Sequence, residues 1–387
     1  MALSSSAGQT FFVSLFSGEI RAELGLSHGD FGWLYTIATV CSAVALSVLG
    51  QSADRFHPVP LAAAVLLGLS CAALGMSFAS GVWFLGAAVF GLRFCGQGML
   101  SHIMFTALGR WFTRSRGRAL SLAGLGFSVG SASLPWAATH ALDAWDWRHV
   151  WLLTAGIYLL ALIPALGLLA LALRRFEPEQ DRTVQATPES PGDSWSRGAM
   201  LRDPRWYAVM PGVLMPPFVI TGVLFHQIHL VETKAWSLGH FAGAYPAFAG
   251  CAVVVSLASG PLVDRFGAAR LLPFYLVPMV AGLCVLGLGE DLGVIPVFMA
   301  LFGSTSGAAV IVLGALWPEL YGVTHLGAIR SVIMMAMVFA TALAPGLMGA
   351  LLDRGVRIES QCLALAGATS ACVLLNLALQ PALRRTA

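Results

Sequence analysis

Apolar stretches of 15 to 27 residues follow one another along almost the whole chain, separated by short polar breaks. They run 3–17, 31–50, 59–78, 82–108, 119–141 and 150–173. After a polar interval at 174–205 come 206–230, 241–263, 271–288, 294–317, 331–352 and 363–383. Helical spans crossing a bilayer need about 20 apolar residues, so the pattern predicts about twelve membrane helices arranged as six, a linker and six. The domains expected are an N-terminal bundle (1–173), a cytoplasmic linker (174–205) and a C-terminal bundle (206–387). The first span is short for a crossing and lacks both a basic leader and a small-residue cleavage site, so it reads as a first helix trimmed by its start rather than a signal peptide.

The composition agrees with a lipid-covered surface. Hydrophobic residues make up 57% of the chain, charged residues 11%, and the mean hydropathy is +0.79, against about 25% charged residues in a soluble domain. Lipid is therefore one expected partner. The net charge of +3 gives no reason to expect nucleic acid. Cys41, Cys71, Cys95, Cys251, Cys284, Cys362 and Cys372 stand singly inside apolar stretches, so neither a disulfide framework nor a metal site is expected, and no cofactor. The linker, running from Glu177-Pro178-Glu179 through Pro191-Gly192-Asp193, has the composition of a flexible connector. Lys and Arg are in roughly threefold excess on the side that carries both termini and the linker, which makes that side cytoplasmic. The localisation expected is an inner (plasma) membrane of bacterial type, and the chain is expected to act as a monomer.

The two halves repeat at a constant offset of 210 positions. Gly50, Asp54, Arg55 and Phe56 match Gly260, Asp264, Arg265 and Phe266. Ser27, Gly29, Phe31 and Tyr35 match Ser237, Gly239, Phe241 and Tyr245, and Gly117, Pro135 and Asp143 match Gly327, Pro345 and Asp353. Two bundles repeated in the same orientation suit a carrier with a central site.

Gly50-x-x-x-Asp54-Arg55-Phe56 and its second copy resemble the loop signature of the major facilitator superfamily. The second copy keeps a glycine, Gly267, after the Phe; the first reads Phe56-His57-Pro58 and departs from the pattern. The run Arg110-Trp111-Phe112-Thr113-Arg114-Ser115-Arg116-Gly117-Arg118, with Gly124, Gly126 and Gly130 beyond it, is similar to monocarboxylate-transporter-like members, as is Leu201-Arg202-Asp203-Pro204-Arg205-Trp206. The resemblance implies an all-α fold of two six-helix bundles and transport of a small organic solute by alternating access. It also implies a gating role for Asp54, Arg55, Asp264 and Arg265, the aspartates latching the outward-facing state.

Arg93 lies near the middle of the fourth span, where a charge costs about 2.5–3.5 kcal/mol on insertion scales. Gln97 and Ser101 follow at i+4 and i+8, on one face of an α-helix. A guanidinium facing a cavity would take a carboxylate bidentately; the alternative is an Arg satisfied by helix-end carbonyls that holds the bundle together. Gln9 and Thr305 join the candidate substrate contacts, on spans that line the cavity in the family resembled. His102, His226 and His229 titrate nearest neutral pH and are the candidate proton-responsive groups, with protons as a possible coupling ion. The Asp and Glu side chains all lie away from the centre of the spans. An organic anion such as a monocarboxylate, carried by symport, is the solute expected. Efflux of hydrophobic compounds by antiport is the rival, although Gly130-Ser131-Ala132-Ser133-Leu134-Pro135 lacks the Gly-Pro pair of such antiporters. A non-transporting sensor on the same fold is a second rival. No surface cluster of His, Asp and Glu suggests an enzyme.

Overall fold

The computed structural model describes residues 3–50, 52–111, 116–173, 195–322 and 325–383. The side chains of Asp54, Arg55 and the basic run 110–118, together with linker residues 174–194, lie outside the described residues. The chain divides into two compact units, Met1–Pro188 and Glu189–Ala387, the division falling inside the linker interval. Each unit is a bundle of six helices, and no strand occurs among the described residues.

In the first unit α1 spans 3–24, α2 His28–Leu49, α3 Pro58–Ser77, α4 82–111, α5 Arg116–Leu142 and α6 147–173. In the second, α7 is Pro204–Phe225, α8 Tyr245–Phe266, α9 Val277–Leu288, α10 Val294–Tyr321, α11 Leu326–Asp353 and α12 Ile358–Ala378. Helix pairing repeats between the units. In the first, α1 packs on α5, α2 on α4 and α3 on α6; in the second, α7 packs on α11, α8 on α10 and α9 on α12.

The repeat extends to the signals that start helices. The Ser27 hydroxyl accepts from the Asp30 N–H at 3.0 Å while the Asp30 carboxylate accepts from the Ser27 N–H at 3.1 Å, a capping box at the head of α2. At the matching position the Ser237 hydroxyl accepts from the His240 N–H at 3.1 Å and starts the turn Leu238–Gly243 that leads into α8. Both helical segments therefore begin three residues before the first apolar residue of the expected spans, because a cap is polar and hydropathy does not register it. The repeated tyrosines also match in role. Tyr35 and Tyr245 are both buried, and their hydroxyls meet the Thr10 hydroxyl at 2.8 Å and the Gln227 side-chain Oε1 at 2.9 Å, each tying the second helix of its unit to the segment of the first.

Four helices depart from regularity, one of them α6, which is π-helical over Tyr158–Leu162. α1 is helical to Leu24, longer than the expected 3–17, and it is built in pieces: a 3-10 turn Leu3–Gly8, Thr10–Val13, a second 3-10 turn Ser14–Phe16, and Ser17–Leu24. Gln9 between the first two is extended, with φ −84° and ψ 152°. Charges at Glu19 and Arg21 had ended the apolar count but not the helix. α4 is π-helical over Leu92–Leu100. α7 runs unbroken through Pro211, Pro216 and Pro217 and breaks at His226 instead, resuming as Gln227–Thr233.

Apolar side chains cover the outside. Leu160 is 77% exposed, Leu257 73% and Trp83 93%. In water such a surface would be costly; in lipid it is not, and an indole at the first turn of α4 fits the headgroup belt. Nine helices among the described residues are long and apolar enough to cross a membrane.

Candidate functional site

The polar centre of the first unit lies where α1 meets α4. Gln9 is extended, and the Phe12 N–H, which a continuous helix would direct to Gly8 O, goes to Gln9 O at 3.2 Å. Arg93 meets the Gly8 carbonyl: Nη1 donates to Gly8 O at 3.0 Å and Nε to Thr39 Oγ1 at 3.2 Å, with the guanidinium over the Tyr35 ring at 5.1 Å. Gly8 and Gly96 let the backbones touch; a Cβ on Gly8 would stand 2.2 Å from the Leu92 carbonyl oxygen and 2.8 Å from Gly96 Cα. Arg93 is only 2% exposed, and among the described residues no carboxylate pairs with it. The structure thus supplies the helix-end carbonyl that the alternative reading of Arg93 requires. Gln9 and Gln97 are half-buried at this junction; Ser101, farther along α4, is half-buried as well. A π-helix bonds i to i+5 and so takes more residues per turn than an α-helix, which keeps Gln97, four residues on, on the Arg93 face.

The second unit holds a cavity of about 580 Å³, within the range of about 300–1,000 Å³ that small-molecule sites occupy. Three stripes at helical spacing line it: Pro216, Pro217, Ile220 and Thr221 from α7; Ser306, Ala309, Val310, Leu313, Gly314 and Trp317 from α10; and Arg330, Ile333, Met334 and Met337 from α11. The stripes could not be read from sequence because lipid-facing residues are equally apolar. Among these lining residues Arg330 alone is charged, and its Nη2 donates to Gly314 O at 2.8 Å. Thr305 is completely buried and does not line the cavity; its neighbour Ser306 does.

Asp264 and Arg265 sit exposed at the end of α8, the Arg guanidinium over Phe266 at 5.2 Å. The chain then turns at Gly267, whose φ of +81° favours glycine, and this is the glycine that the first copy lacks. There, His57 is extended and Pro58 starts α3 directly. Sequence reasoning missed Glu319, near the end of α10. Its carboxylate accepts from the Ala268 and Ala269 N–H groups at 2.7 and 3.3 Å, fixing the loop that follows the signature. Its repeat counterpart is Gly109, so the offset gave no hint of it. Asp203 caps α7 by accepting from the Arg205 N–H at 3.0 Å, pairs with Arg205 Nε at 2.9 Å and accepts from the Tyr321 hydroxyl at 3.1 Å. Burial pushes its carboxyl up, but these donors outweigh that and hold it below the usual carboxylate range.

Known proteins resolve the class. The family profile described as Major Facilitator Superfamily matches residues 1–345. The chain belongs to that superfamily. A relative is the phosphoglycerate transporter protein of Salmonella typhimurium, 24% identical over 310 residues, taking in 73% of this chain and 66% of the relative. Another is human monocarboxylate transporter 6, 29% identical over 153 residues, which is 38% of this chain and 29% of the relative. The chain thus spans just under two thirds of the first relative's length and less than a third of the second's. In fold it is similar to a bacterial homologue of the human lysosomal transporter Spinster (TM-score 0.71, 14% identity, 100% of this chain and 95% of that one). It is also similar to the nucleoside transporter NupG (TM-score 0.72, 13% identity, 98% of each chain). The all-α architecture of two six-helix bundles expected from the sequence is the major facilitator fold.

Of the candidate histidines, His102 belongs to the first unit and His226 and His229 to the second. His102 Nε2 lies 3.1 Å from Gly50 O at the end of α2. His226 is buried at the break after α7, with Nε2 3.1 Å from Pro345 O on α11. His229 meets the Thr233 hydroxyl at 3.3 Å. Among the described residues no three His, Cys, Asp or Glu side chains gather as metal ligands.

At the opposite end of the first unit from the signature loop, Arg148 ties three helices together. It donates to Glu23 Oε1 at 2.6 Å, to Ser77 O at 2.6 Å and to Ala79 O at 2.7 Å, while Trp147 Nε1 donates to Glu23 Oε2 at 2.9 Å. The Arg148 and Trp147 hydrogen bonds hold the Glu23 carboxyl below its ordinary value of 4.5. A lowered folded-state value means stabilisation present above the unfolded value and lost as pH falls through the folded one. Glu23→Gln is therefore expected to unfold at a lower temperature than the parent at pH 7, with the gap closing below about pH 4. Thermal melts of the purified pair across pH 3–7 measure this, and a gap that persisted at pH 3 would remove the carboxylate from the account.

Proposed function

We propose that this chain is a secondary carrier that moves a small organic anion across the membrane by alternating access. The observation that carries the reading is the cavity in the second unit, walled by α7, α10 and α11, with two hydroxyls and the Arg330 guanidinium in an otherwise apolar lining. Among the described residues no Asp or Glu lines it, and the one charged lining side chain, Arg330, favours an anion. The names of the two relatives, a phosphoglycerate and a monocarboxylate transporter, lend support from the same direction. In this reading the anion contact passes from Arg93 to Arg330, and Arg93 fastens α1 to α4 beside Gln9, Gln97 and Ser101. Asp264, with Arg265, biases the two states of the carrier; a carboxylate near a helix terminus or an Arg contributes about 0.3–2 kcal/mol, enough to shift a balance between states close in energy.

The test is uptake into proteoliposomes of a radiolabelled panel of organic anions, neutral solutes and cations, with and without an imposed pH gradient. Saturable uptake of an anion, accelerated by an inward proton gradient, is the result expected for symport, and Asp264→Asn should slow it at least severalfold while leaving expression and melting temperature near those of the parent. Failure of every solute to enter would end the carrier reading; parental rates in Asp264→Asn would end the gating role. The apolar walls also favour a second reading, export of uncharged hydrophobic compounds. Uptake of such compounds into inverted vesicles, with anions ignored, would select it.

A further inference from the structure

The placement of Arg330 in the cavity points to the kind of anion that fits. Arg330 and Gly314 are in contact, so they mark one end of the cavity on α10 and α11. Ser306 lies eight residues from Gly314 along α10, which at 1.5 Å per residue is about 12 Å. Between them the lining side chains are Ala309, Val310 and Leu313 from α10 and Ile333, Met334 and Met337 from α11. Met adapts to irregular apolar shapes and makes good contacts with aromatic rings. Only one edge of the guanidinium is engaged, through Nη2, and no carboxylate pairs with it among the described residues.

We propose that Arg330 holds the acidic group of an amphiphilic organic anion whose aliphatic or aromatic body lies along the apolar stripe toward Ser306. The proposal rests on the carrier reading above and narrows it. Three-carbon acids such as propionate would leave most of the 580 Å³ unfilled, whereas a medium-chain or aryl acid buries its body against these side chains. Each buried methylene adds affinity, so length is selected by the wall and charge by the Arg.

The experiment is binding of radiolabelled octanoate, propionate and octanamide to the full chain in nanodiscs, with empty nanodiscs subtracted. Wild-type protein is expected to bind octanoate at least about tenfold more tightly than propionate. It should also favour octanoate over octanamide by about ten- to hundredfold, the loss that follows removal of a charge-assisted contact. Arg330→Gln should erase the preference for acid over amide, and Arg330→Lys should keep part of it, since a point charge cannot reproduce the planar fork. Helical content and monodisperse elution report the fold of each variant. Should Arg330→Gln not fold, Ser306→Phe supplies an independent reading: by filling the far end it should weaken octanoate while sparing propionate. Unchanged octanoate affinity in a folded Arg330→Gln protein would overturn the proposal. So would wild-type protein that bound octanamide or propionate as tightly as octanoate, or no octanoate at all. A wild-type protein that transports a neutral or cationic solute and ignores octanoate keeps the carrier reading and ends this one. Specific octanoate binding with no uptake of any solute does the reverse.

Discussion

Gly307→Val is expected to prevent the second unit from folding, and Gly307→Ala to destabilise it by about 1–3 kcal/mol, the usual cost of overpacking. α8 and α10 make the most extensive helix contact among the described residues, and they touch backbone to backbone. A Cβ on Gly303 would stand 2.1 Å from the Phe248 carbonyl oxygen, and one on Gly307 2.1 Å from that of Ala252. Both distances fall on main chain, so no rotamer change can relieve them; the helices would have to part. Parting would forfeit the van der Waals packing that drives helix association in lipid, where no hydrophobic effect separates helix from tail. Gly250 on α8 is the control. Its Cβ would meet nothing within 4 Å, and alanine there gains up to about 1 kcal/mol of helix propensity. Fluorescence melts and size-exclusion profiles of the three purified variants make the comparison. Gly307→Val protein with the parental melting temperature would show that the contact gives way far more easily than its geometry implies.

The same contact shows what a membrane sequence conceals. Gly303 and Gly307 look like ordinary small residues in an apolar run, and their repeat counterparts are Arg93 and Gln97, which look nothing like them. What was legible followed from length and repetition. Spans of about 20 apolar residues can only be helices in lipid, because every backbone group must be satisfied within the segment. The 210-residue offset carried the caps at Ser27 and Ser237 and the tyrosines at 35 and 245 into matching places in the two units. What was not legible depended on local departures from the α-helix. A hydropathy count treats Gly8-Gln9 as part of a continuous span, so it cannot show a released carbonyl, and it treats residues 92–100 as α-helical when they are π-helical. Arg330 precedes the apolar span 331–352, so hydropathy leaves it in a loop; the fold places it five residues into α11, on one stripe with Ile333, Met334 and Met337. Glu319 binds main-chain N–H groups, which leave no trace in side-chain patterns.

Arg93 gives the last expected result, and it follows from that concealed break. Considered on its own helix, Arg93 is a central cation with no carboxylate to neutralise it, and an anionic solute is the natural missing partner. In the fold its partner is the backbone of α1. The Phe12 N–H, which a continuous helix would direct to Gly8 O, goes to Gln9 O, and Arg93 Nη1 donates to Gly8 O at 3.0 Å while Nε holds Thr39 and the guanidinium plane covers Tyr35. Tyr35 in turn meets Thr10 on the far side of the break at 2.8 Å, so both flanks of the interruption are fastened to α2 and α4. Arg93→Ala should therefore cost stability before it costs affinity. An orphaned buried carbonyl costs about 1–3 kcal/mol, and the melting temperature should fall by several degrees. Arg93→Lys should not restore it, because a single ammonium cannot reach Gly8 O and Thr39 Oγ1 as a fork or stack on the ring. The measurement pairs a thermal melt with solute affinity for each variant. A lowered melting temperature in both, with affinity lost only in proportion to the unfolded fraction, is the outcome expected of a fastening. An unchanged melting temperature with a ten- to hundredfold loss of affinity would return Arg93 to the solute.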